Sequence, residues 1–321
     1  MESISKRYVW IFFIILLAIM IAAYLMNIFL TSPAPKPIVS QEDMDELSDG
    51  YYTIRDQNGL TILQTGLTVR IDDQFIDENN INYVIIKVEG KNAVAEKVSQ
   101  QHSQTLNNHP RRSWAEITLP SWSSISAAAR GRRHVVIYST HTDESYIPTS
   151  GRASKPGKGD ILKVAGTLSN TLRENGISVS HSRALHDPHD INAYHRSRRT
   201  ITQLLKEQPD AAFDIHRDSA PPDQYLTVVN GLDTARVMIV VGRSNPNMQS
   251  NLDYAKRIKA EADRIHPGLM RGIYLGKGSY NQDLYPTALL FEVGTENIPL
   301  DLAETAVRNL GDALTSIFSK S

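Results

Sequence analysis

A histidine and two acidic residues stand directly behind an apolar stretch, in the segment STHTDESY at residues 139–146. His141 and Glu144 are three positions apart, and the preceding RRHVVIY has the composition of a buried strand. An imidazole and a carboxylate at this spacing would form half of a metal site, whereas the ordinary alternative is a solvated turn. Which interpretation holds depends on whether further ligands reach the same place.

Two more candidate residues lie at the ends of predicted strands. His216 follows the apolar stretch in AAFDIHRDS, and Glu292 stands in TALLFEVG, the last predicted strand. Ligands of open α/β sheets bind beyond the carboxyl ends of the strands. We therefore expect these two side chains to share one crevice with His141 and Glu144.

Two imidazoles and a carboxylate form a donor set that suits zinc. Zn2+ takes such ligands in tetrahedral geometry, and catalytic sites commonly keep the fourth position for water, whose pKa falls to about 7. The chain has no cysteine, so a transition-metal site must use these ligands. A further carboxylate is needed to carry a proton from the nucleophile to the leaving amine, and Glu292 is placed for that role.

Other acidic residues compete for these roles. Asp143 could replace Glu144 as the carboxylate ligand. Asp160 is a weaker contender because it is better explained as the cap of the helix that follows it. The spacing of Ile161, Val164, Ala165, Leu168 and Leu172 predicts the apolar face of that helix. Asp214 and Asp218 flank the second predicted ligand, and either could orient its ring.

The remaining histidines are interpreted without a metal. His186 and His189 form a pair in LHDPHD, but the Asp-Pro context indicates a turn. The others are interpreted as surface or hydrogen-bonded residues: His102, His109, His134, His181, His195 and His266.

The N-terminus contains a predicted membrane anchor. Residues 8–30 carry no charge, and about 20 helical residues suffice to cross a hydrocarbon core. Lys6 and Arg7 precede the stretch, and five acidic residues follow it within residues 32–50. The positive-inside rule predicts a single-pass membrane protein with a cytoplasmic N-terminus and an extracytoplasmic catalytic domain. The stretch exceeds the h-region of a usual signal peptide, which favours an uncleaved anchor.

Composition and pattern predict the remaining organisation. The net charge of -1 gives no reason to expect nucleic acid as a partner. Short apolar stretches and turns alternate at first, which is typical of a small β-rich module, and the absence of histidine there argues against a catalytic role. Later strands and helices alternate, which predicts an α/β fold with a largely parallel sheet flanked by helices. The predicted parts are a cytoplasmic tail (1–7), an anchor (8–30), a spacer (31–50), the β-rich module (51–98), a linker (99–130) and the catalytic domain (131–321).

Four motifs together resemble the stage II sporulation protein P family: YSTHTDESYIP, FDIHRDS, GSYNQDLYPTALLFEVG and the upstream YYTIRDQNGLTILQTG. The resemblance extends from about Tyr51 to the C-terminus and includes the N-terminal anchor. It implies a membrane-anchored peptidoglycan hydrolase that acts with the stage II sporulation proteins D and M during engulfment. Such proteins are N-acetylmuramoyl-L-alanine amidases and endopeptidases on cross-linked stem peptides.

The resemblance also implies roles for single residues. The catalytic domain is similar in plan to zinc-dependent amidases, so His141 and His216 would be ligands and Glu292 the catalytic carboxylate. This chain has Ser139 where the family commonly has the first histidine of His-Thr-His. The wider amidase class places its glutamate ligand farther along the chain than Glu144, so the identity of the carboxylate ligand stays open.

The leading hypothesis is therefore a zinc-dependent hydrolase that cuts the amide between muramic acid and L-alanine. Arg217 and Tyr280 are candidate contacts for stem-peptide carboxylates. A metallocarboxypeptidase that trims stem peptides would use the same donor set. A scaffold that binds the cell wall without cutting it is the hypothesis from another class.

Overall fold

The computed structural model describes residues 16, 17, 20, 45–47, 49–98 and 133–320. The chain divides into two compact units, Met1–Ser40 and Gln41–Ser321. In the first unit, residues 16, 17 and 20 are helical, and the rest of the predicted anchor lies outside the described residues, as does the predicted linker 99–130. Within the described parts of the chain, no helix combines the length and the hydropathy of a membrane span.

The second unit contains strands and helices in the following order along its described residues. The strands are β1 (Tyr52–Asp56), β2 (Thr61–Thr65), β3 (Gln74–Asp77), β4 (Asn82–Glu89), β5 (Asn92–Lys97), β6 (His134–Tyr138), β7 (Ser178–His181), β8 (Ala211–Asp218), β9 (Leu226–Val229), β10 (Leu232–Ala235), β11 (Val237–Gly242), β12 (Met270–Gly276) and β13 (Ala288–Thr295). The helices are α1 (Ile147–Ser150), α2 (Ile161–Glu174), α3 (Ala193–Leu204), α4 (Met248–Ile265) and α5 (Leu300–Lys320).

Eleven of these strands form one sheet in the order β2-β1-β5-β4-β3-β12-β11-β13-β8-β6-β7, and β9 and β10 form a separate hairpin. The pairs β13–β8, β8–β6, β6–β7, β11–β12 and β1–β5 are parallel. The pairs β11–β13, β12–β3, β3–β4, β4–β5 and β1–β2 are antiparallel. The fold is mixed α/β with a large sheet flanked by helices. Four of the five pairs among β6, β7, β8, β11, β12 and β13 are parallel, as expected for the catalytic domain, whereas the pairs within the β-rich module are antiparallel except β1–β5.

Helices α2, α4 and α5 cover one face of the sheet. Helix α2 buries Ile161, Val164, Ala165, Leu168 and Leu172, which is the apolar face predicted from their spacing. Each large side chain buried in this way stabilises the fold by about 1.5–3 kcal/mol.

Asp160 does not cap helix α2, contrary to the prediction. Its side chain makes no capping hydrogen bond and instead accepts hydrogen bonds from Ser150 Oγ and from Lys163 Nζ. The buried carboxylate is thus satisfied by a hydroxyl and an ammonium group rather than by the first backbone amides of the helix.

The opposite face of the sheet carries the predicted site residues. In β8, Phe213 and Ile215 belong to the helix-covered core, so Asp214 and His216 point to the other face because strand side chains alternate. On that face the β-rich module contributes a second core, which includes Ile54, Leu63 and Phe75.

The β-rich module joins the same sheet through the antiparallel pair β3–β12. A second junction links the end of β2 to the end of β8, where Thr65 Oγ1 and Gly66 N donate hydrogen bonds to Asp218 Oδ1 at 2.9 and 2.8 Å. A Cβ atom at Gly66 would lie 2.6 Å from Ser219 Cβ, so only glycine permits this approach. The junction sets residues 65–67 beside the strand that carries His216.

Candidate metal centre

The loop after β6 presents His141 and Glu144 to the interior. The amide of Glu144 donates to the His141 carbonyl at 3.3 Å, which closes the turn between them. Gly159 packs against this loop so closely that a Cβ atom there would lie 2.4 Å from the Thr142 carbonyl oxygen. Both site side chains are buried, so the loop is a packed element and not a solvated turn.

Strand β8 supplies His216 to the same place. Its Nδ1 lies 3.5 Å from Glu144 Oε1, and its Nε2 lies 3.0 Å from Asp214 Oδ1. Asp214 is held in turn by the amide of Thr140, which donates to it at 2.7 Å. Of the two aspartates that flank His216, Asp214 therefore orients the ring, whereas Asp218 anchors the β-rich module.

Glu144 Oε1 lies between two buried imidazole nitrogens, those of His141 and His216. Glu144 Oε1 lies 3.3 Å from His141 Nδ1 and 3.5 Å from His216 Nδ1. None of the three atoms has a hydrogen-bond partner in the described chain. The other oxygen of Glu144 accepts a hydrogen bond from the Arg217 amide at 2.9 Å, which fixes the carboxylate.

These residues fit zinc. With Zn–N and Zn–O bonds of about 2.0–2.1 Å, the corners of a tetrahedron around the ion are about 3.3–3.4 Å apart, close to the two distances above. Unpaired buried polar atoms are costly, and a cation at this point would satisfy all three donors together. Glu144, not Asp143 or Asp160, is thus the carboxylate between the two imidazoles. Candidate ligand atoms within 4.8 Å of one another form two groups in the described chain, Glu46, His141, Glu144 and His189, and Glu46, His216 and Glu292.

Neighbouring groups of opposite charge stabilise the ionised forms of Glu144 and His216. Burial alone would raise the pKa of Glu144, but the His216 and His141 imidazoles and the Arg217 guanidinium lower it to about 2. Burial alone would lower the pKa of His216, but Asp214 and Glu144 raise it well above its ordinary value. The negative charges of Glu144 and Asp214 thus stabilise a positive charge at this centre.

Glu292 stands beside the centre on β13. The register pairs Glu292 with His216 on β8. A carboxylate oxygen of Glu292, a ring nitrogen of His216 and a carboxylate oxygen of Glu46 all lie within 4.8 Å of one another. Burial raises the pKa of Glu292 well above its ordinary value, and the negative charges of Asp218 and Glu46 act in the same direction. A carboxyl group with a raised pKa is suited to general acid–base work.

A pocket of about 420 Å³ opens next to the centre. Its lining includes six acidic residues, Glu46, Asp49, Asp143, Asp218, Glu292 and Glu296, and two basic residues, His189 and Arg217. The Arg217 guanidinium donates to the backbone carbonyls of Ser145, Ala153 and Asp218, and among the described residues it has no hydrogen bond to a carboxylate.

The structure does not place every predicted residue in the pocket. Tyr280 is buried in the second core, edge-on to Tyr194, and is not among the pocket-lining residues. His186 Nδ1 donates to the Ser139 carbonyl and Nε2 lies 2.7 Å from Thr200 Oγ1, so both of its ring nitrogens are used within the fold.

Two residues near the centre were missed by sequence reasoning. Glu46 lies in the acidic stretch interpreted as a spacer, and His189 lies in the sequence interpreted as a turn. His189 stacks on His141 with ring centroids 3.7 Å apart, and its nitrogens lie 3.3 Å from Asp143 Oδ1 and 3.4 Å from Glu46 Oε2. Burial would lower the pKa of His189, but these two carboxylates raise it to about 10. The spacing of LHDPHD was the only available signal for His189, and no pattern marked Glu46.

Comparison with known proteins identifies the family. The family model described as "Stage II sporulation protein P" matches residues 64–315, which include all four residues around the centre that the sequence predicted. The chain belongs to the stage II sporulation protein P family. The resemblance expected from the four motifs is thereby confirmed.

A relative in this family is the stage II sporulation protein P of Bacillus subtilis (strain 168). It is 27% identical over 212 residues, which are 58% of this chain and 51% of the relative. The chain therefore spans about half the length of this curated relative.

Solved amidases show a partial likeness in fold. The catalytic domain of CwlV, an N-acetylmuramoyl-L-alanine amidase from Bacillus (Paenibacillus) polymyxa var. colistinus, is 17% identical with a TM-score of 0.41, covering 59% of this chain and 99% of that one. The CwlD amidase of Clostridioides difficile, solved in complex with the GerS lipoprotein, is 11% identical with a TM-score of 0.42, covering 59% and 100%. At these values the likeness carries no conclusion about the activity of this chain.

Proposed function

We propose that this protein is a membrane-anchored, zinc-dependent peptidoglycan hydrolase that acts in sporulation and engulfment. Its reaction would be that of an N-acetylmuramoyl-L-alanine amidase, with endopeptidase activity on cross-linked stem peptides as a second activity. The observation that carries the proposal is the convergence of His141 Nδ1, His216 Nδ1 and Glu144 Oε1, three buried donors without hydrogen-bond partners.

The chemistry divides between the metal and the chain. A bound zinc ion would polarise the scissile carbonyl and activate water. His141, Glu144 and His216 would hold it, and Asp214 would keep the His216 ring in the orientation that turns Nδ1 to the centre. Glu292 would accept the proton of the attacking water at its carboxylate and pass it to the leaving amine, which becomes the free N-terminus of the peptide.

The charged pocket supports a peptide substrate with ionised groups. Arg217 and His189 would face substrate carboxylates, and the acidic residues of the pocket would face an amino group. Of the two residues predicted to contact stem-peptide carboxylates, only Arg217 keeps that role in this proposal, because Tyr280 lies within the core.

The location and partners are also part of the proposal. Residues 8–30 would anchor the chain with its N-terminus in the cytoplasm and its catalytic domain outside, where peptidoglycan lies. The stage II sporulation proteins D and M are proposed partners on the basis of the family resemblance alone.

A digestion of purified sacculi tests the proposal. The full-length chain, purified in detergent and loaded with zinc, should release peptides from the sacculi, and a chelator should stop the release. Mass spectrometry should find stem peptides with a free N-terminal L-alanine and glycan strands without peptide. Release of single D-amino acids from stems that stay attached would indicate a carboxypeptidase, and intact sacculi would indicate a scaffold.

A further inference from the structure

Glu46 occupies a position that the proposed function leaves unexplained. Its Oε1 lies 3.1 Å from His141 Nδ1 and 3.8 Å from His216 Nδ1. These are the same two nitrogens that Glu144 Oε1 approaches. Like them, Glu46 Oε1 is buried and has no hydrogen-bond partner among the described residues.

The contacts of Glu46 with the two imidazoles have the distances of ion pairs but not the geometry of hydrogen bonds. In an ion pair, the carboxylate oxygen would accept a hydrogen bond from one imidazole. Glu46 Oε1 instead lies near two imidazole nitrogens and accepts a hydrogen bond from neither. Glu46 also belongs to both groups of candidate ligand atoms that lie within 4.8 Å of one another, the one with His141 and Glu144 and the one with His216 and Glu292. A carboxylate shared in this way is placed as a metal ligand would be.

From this geometry, and on the basis of the proposed function, we infer that Glu46 is a fourth protein ligand of the metal. It takes the coordination position that catalytic zinc sites keep for water and substrate. The centre is then closed by a residue from the segment that precedes the β-rich module, and hydrolysis requires Glu46 to leave.

The backbone around Glu46 holds it at this position. Glu46 forms an antiparallel bridge with Leu67, in which the Leu47 amide donates to the Gly66 carbonyl at 2.8 Å and the Thr68 amide donates to the Asp45 carbonyl at 2.9 Å. The Gly66 amide in turn donates to Asp218 on β8. The segment is thus attached to the strand that supplies His216.

The second oxygen of Glu46 is held as well. Glu46 Oε2 lies 3.4 Å from His189 Nε2, and His189 Nδ1 lies 3.3 Å from Asp143 Oδ1. His189 therefore acts as a positioning residue that turns Oε1 of the same carboxylate toward the centre.

Zinc affinity of the full-length chain tests this inference. Glu46→Ala and Glu46→Gln are compared with the unchanged chain and with Glu96→Gln, an exposed carboxylate of the β-rich module that serves as a control. A chromophoric chelator measures the affinity for zinc by competition. Acetohydroxamate, a small ligand that needs an open position on the metal, probes whether the centre is closed.

We expect both Glu46 variants to bind zinc at least about 10–100-fold more weakly, since removal of a ligand costs at least as much as removal of its support. They should bind acetohydroxamate more tightly and release peptide from sacculi several-fold faster at saturating zinc. The Glu96→Gln control should match the unchanged chain in all three measurements.

Three results would overturn the inference. Unchanged zinc affinity would show that Glu46 is not a ligand. Weaker zinc binding without tighter acetohydroxamate binding would show that its charge, and not coordination, acts on the metal. Loss of hydrolysis with zinc retained would make Glu46 part of the catalytic machinery. If no form of the chain binds zinc, the proposed function fails together with the inference, which separates that outcome from the other three.

Discussion

His216 on β8 and Glu292 on β13 are directly paired in the register of two parallel strands. Paired positions of neighbouring strands project their side chains from the same face of the sheet. The register alone therefore places the proposed catalytic carboxylate beside a proposed metal ligand. Because both residues lie within strands and not in mobile loops, their separation is set by the sheet itself.

Replacement of Glu292 by Gln separates catalysis from metal binding. Glu292 faces the centre but is not one of the three donors that converge there, so zinc affinity should stay close to that of the unchanged chain. Hydrolysis of sacculi should fall by about 100- to 10,000-fold, the usual contribution of a positioned acid or base. Glu174→Gln, on an exposed position of helix α2, is the matched control. A variant that keeps full activity would remove Glu292 from the mechanism.

Replacement of Asp214 by Asn tests the orientation of the His216 ring. Asp214 Oδ1 lies 3.0 Å from His216 Nε2, and loss of its charge should weaken zinc binding by about 10–100-fold. The measurement is chelator competition, with Asp233→Asn in the exposed hairpin strand β10 as the control. Equal zinc affinity in both variants would show that Asp214 only supports the Thr140 loop.

Replacement of Arg217 by Gln distinguishes a structural clamp from a substrate contact. The guanidinium donates to the carbonyls of Ser145 and Ala153 and so ties two loops of the site together. Loss of hydrogen bonds to a charged group should lower the free energy of unfolding by about 2 kcal/mol. If Arg217 also binds a substrate carboxylate, KM for a soluble muropeptide should rise more than kcat falls, whereas an unchanged KM would leave only the clamp. Arg308→Gln, exposed on α5, is the control.

His181, which lies away from the centre, should make the stability of the protein depend on pH. Burial, together with Arg183 and Arg173, lowers the pKa of His181 to about 4, against about 6.5 in an unfolded chain. Between these values the unfolded state binds the extra proton, so stability is lost as the pH falls from about 6.5 toward 4.

The variant His181→Gln should reduce this loss. Thermal unfolding of the zinc-free chain at pH 7 and pH 5 gives the drop in Tm, and the drop should be smaller in the variant than in the unchanged chain. His195→Gln, at an exposed position of α3, should behave like the unchanged chain. An equal drop in all three would show that His181 is not protonated on unfolding.

Local patterns were sufficient to predict much of the fold and part of the site. The spacing of Leu168 and Leu172 predicted the buried face of α2, since helix periodicity depends on neighbours within a few residues. The rule that ligands gather beyond the carboxyl ends of strands brought His141, His216 and Glu292 together, because it depends only on where each strand ends.

Long-range packing decided the rest. Glu46 reaches the centre only because residues 45–47 bridge to Leu67 and because Gly66 docks on Asp218, and neither contact leaves a periodic signal. The cap predicted at Asp160 is also wrong because of a tertiary contact. Ser150, at the end of helix α1, donates a hydrogen bond to the Asp160 carboxylate. The β-rich module joins the sheet through the antiparallel pair β3–β12, which no local pattern specifies.

The central claim is that His141, Glu144 and His216 hold one zinc ion, and zinc stoichiometry and affinity of the full-length chain test it most directly. The unchanged chain and the control His195→Gln should each bind one ion tightly. His141→Ala and His216→Ala should lose it or bind it more than about 100-fold more weakly, since removal of a ligand costs at least as much as removal of its support. Zinc bound equally well by either histidine variant, or by none of the four proteins, would contradict the claim.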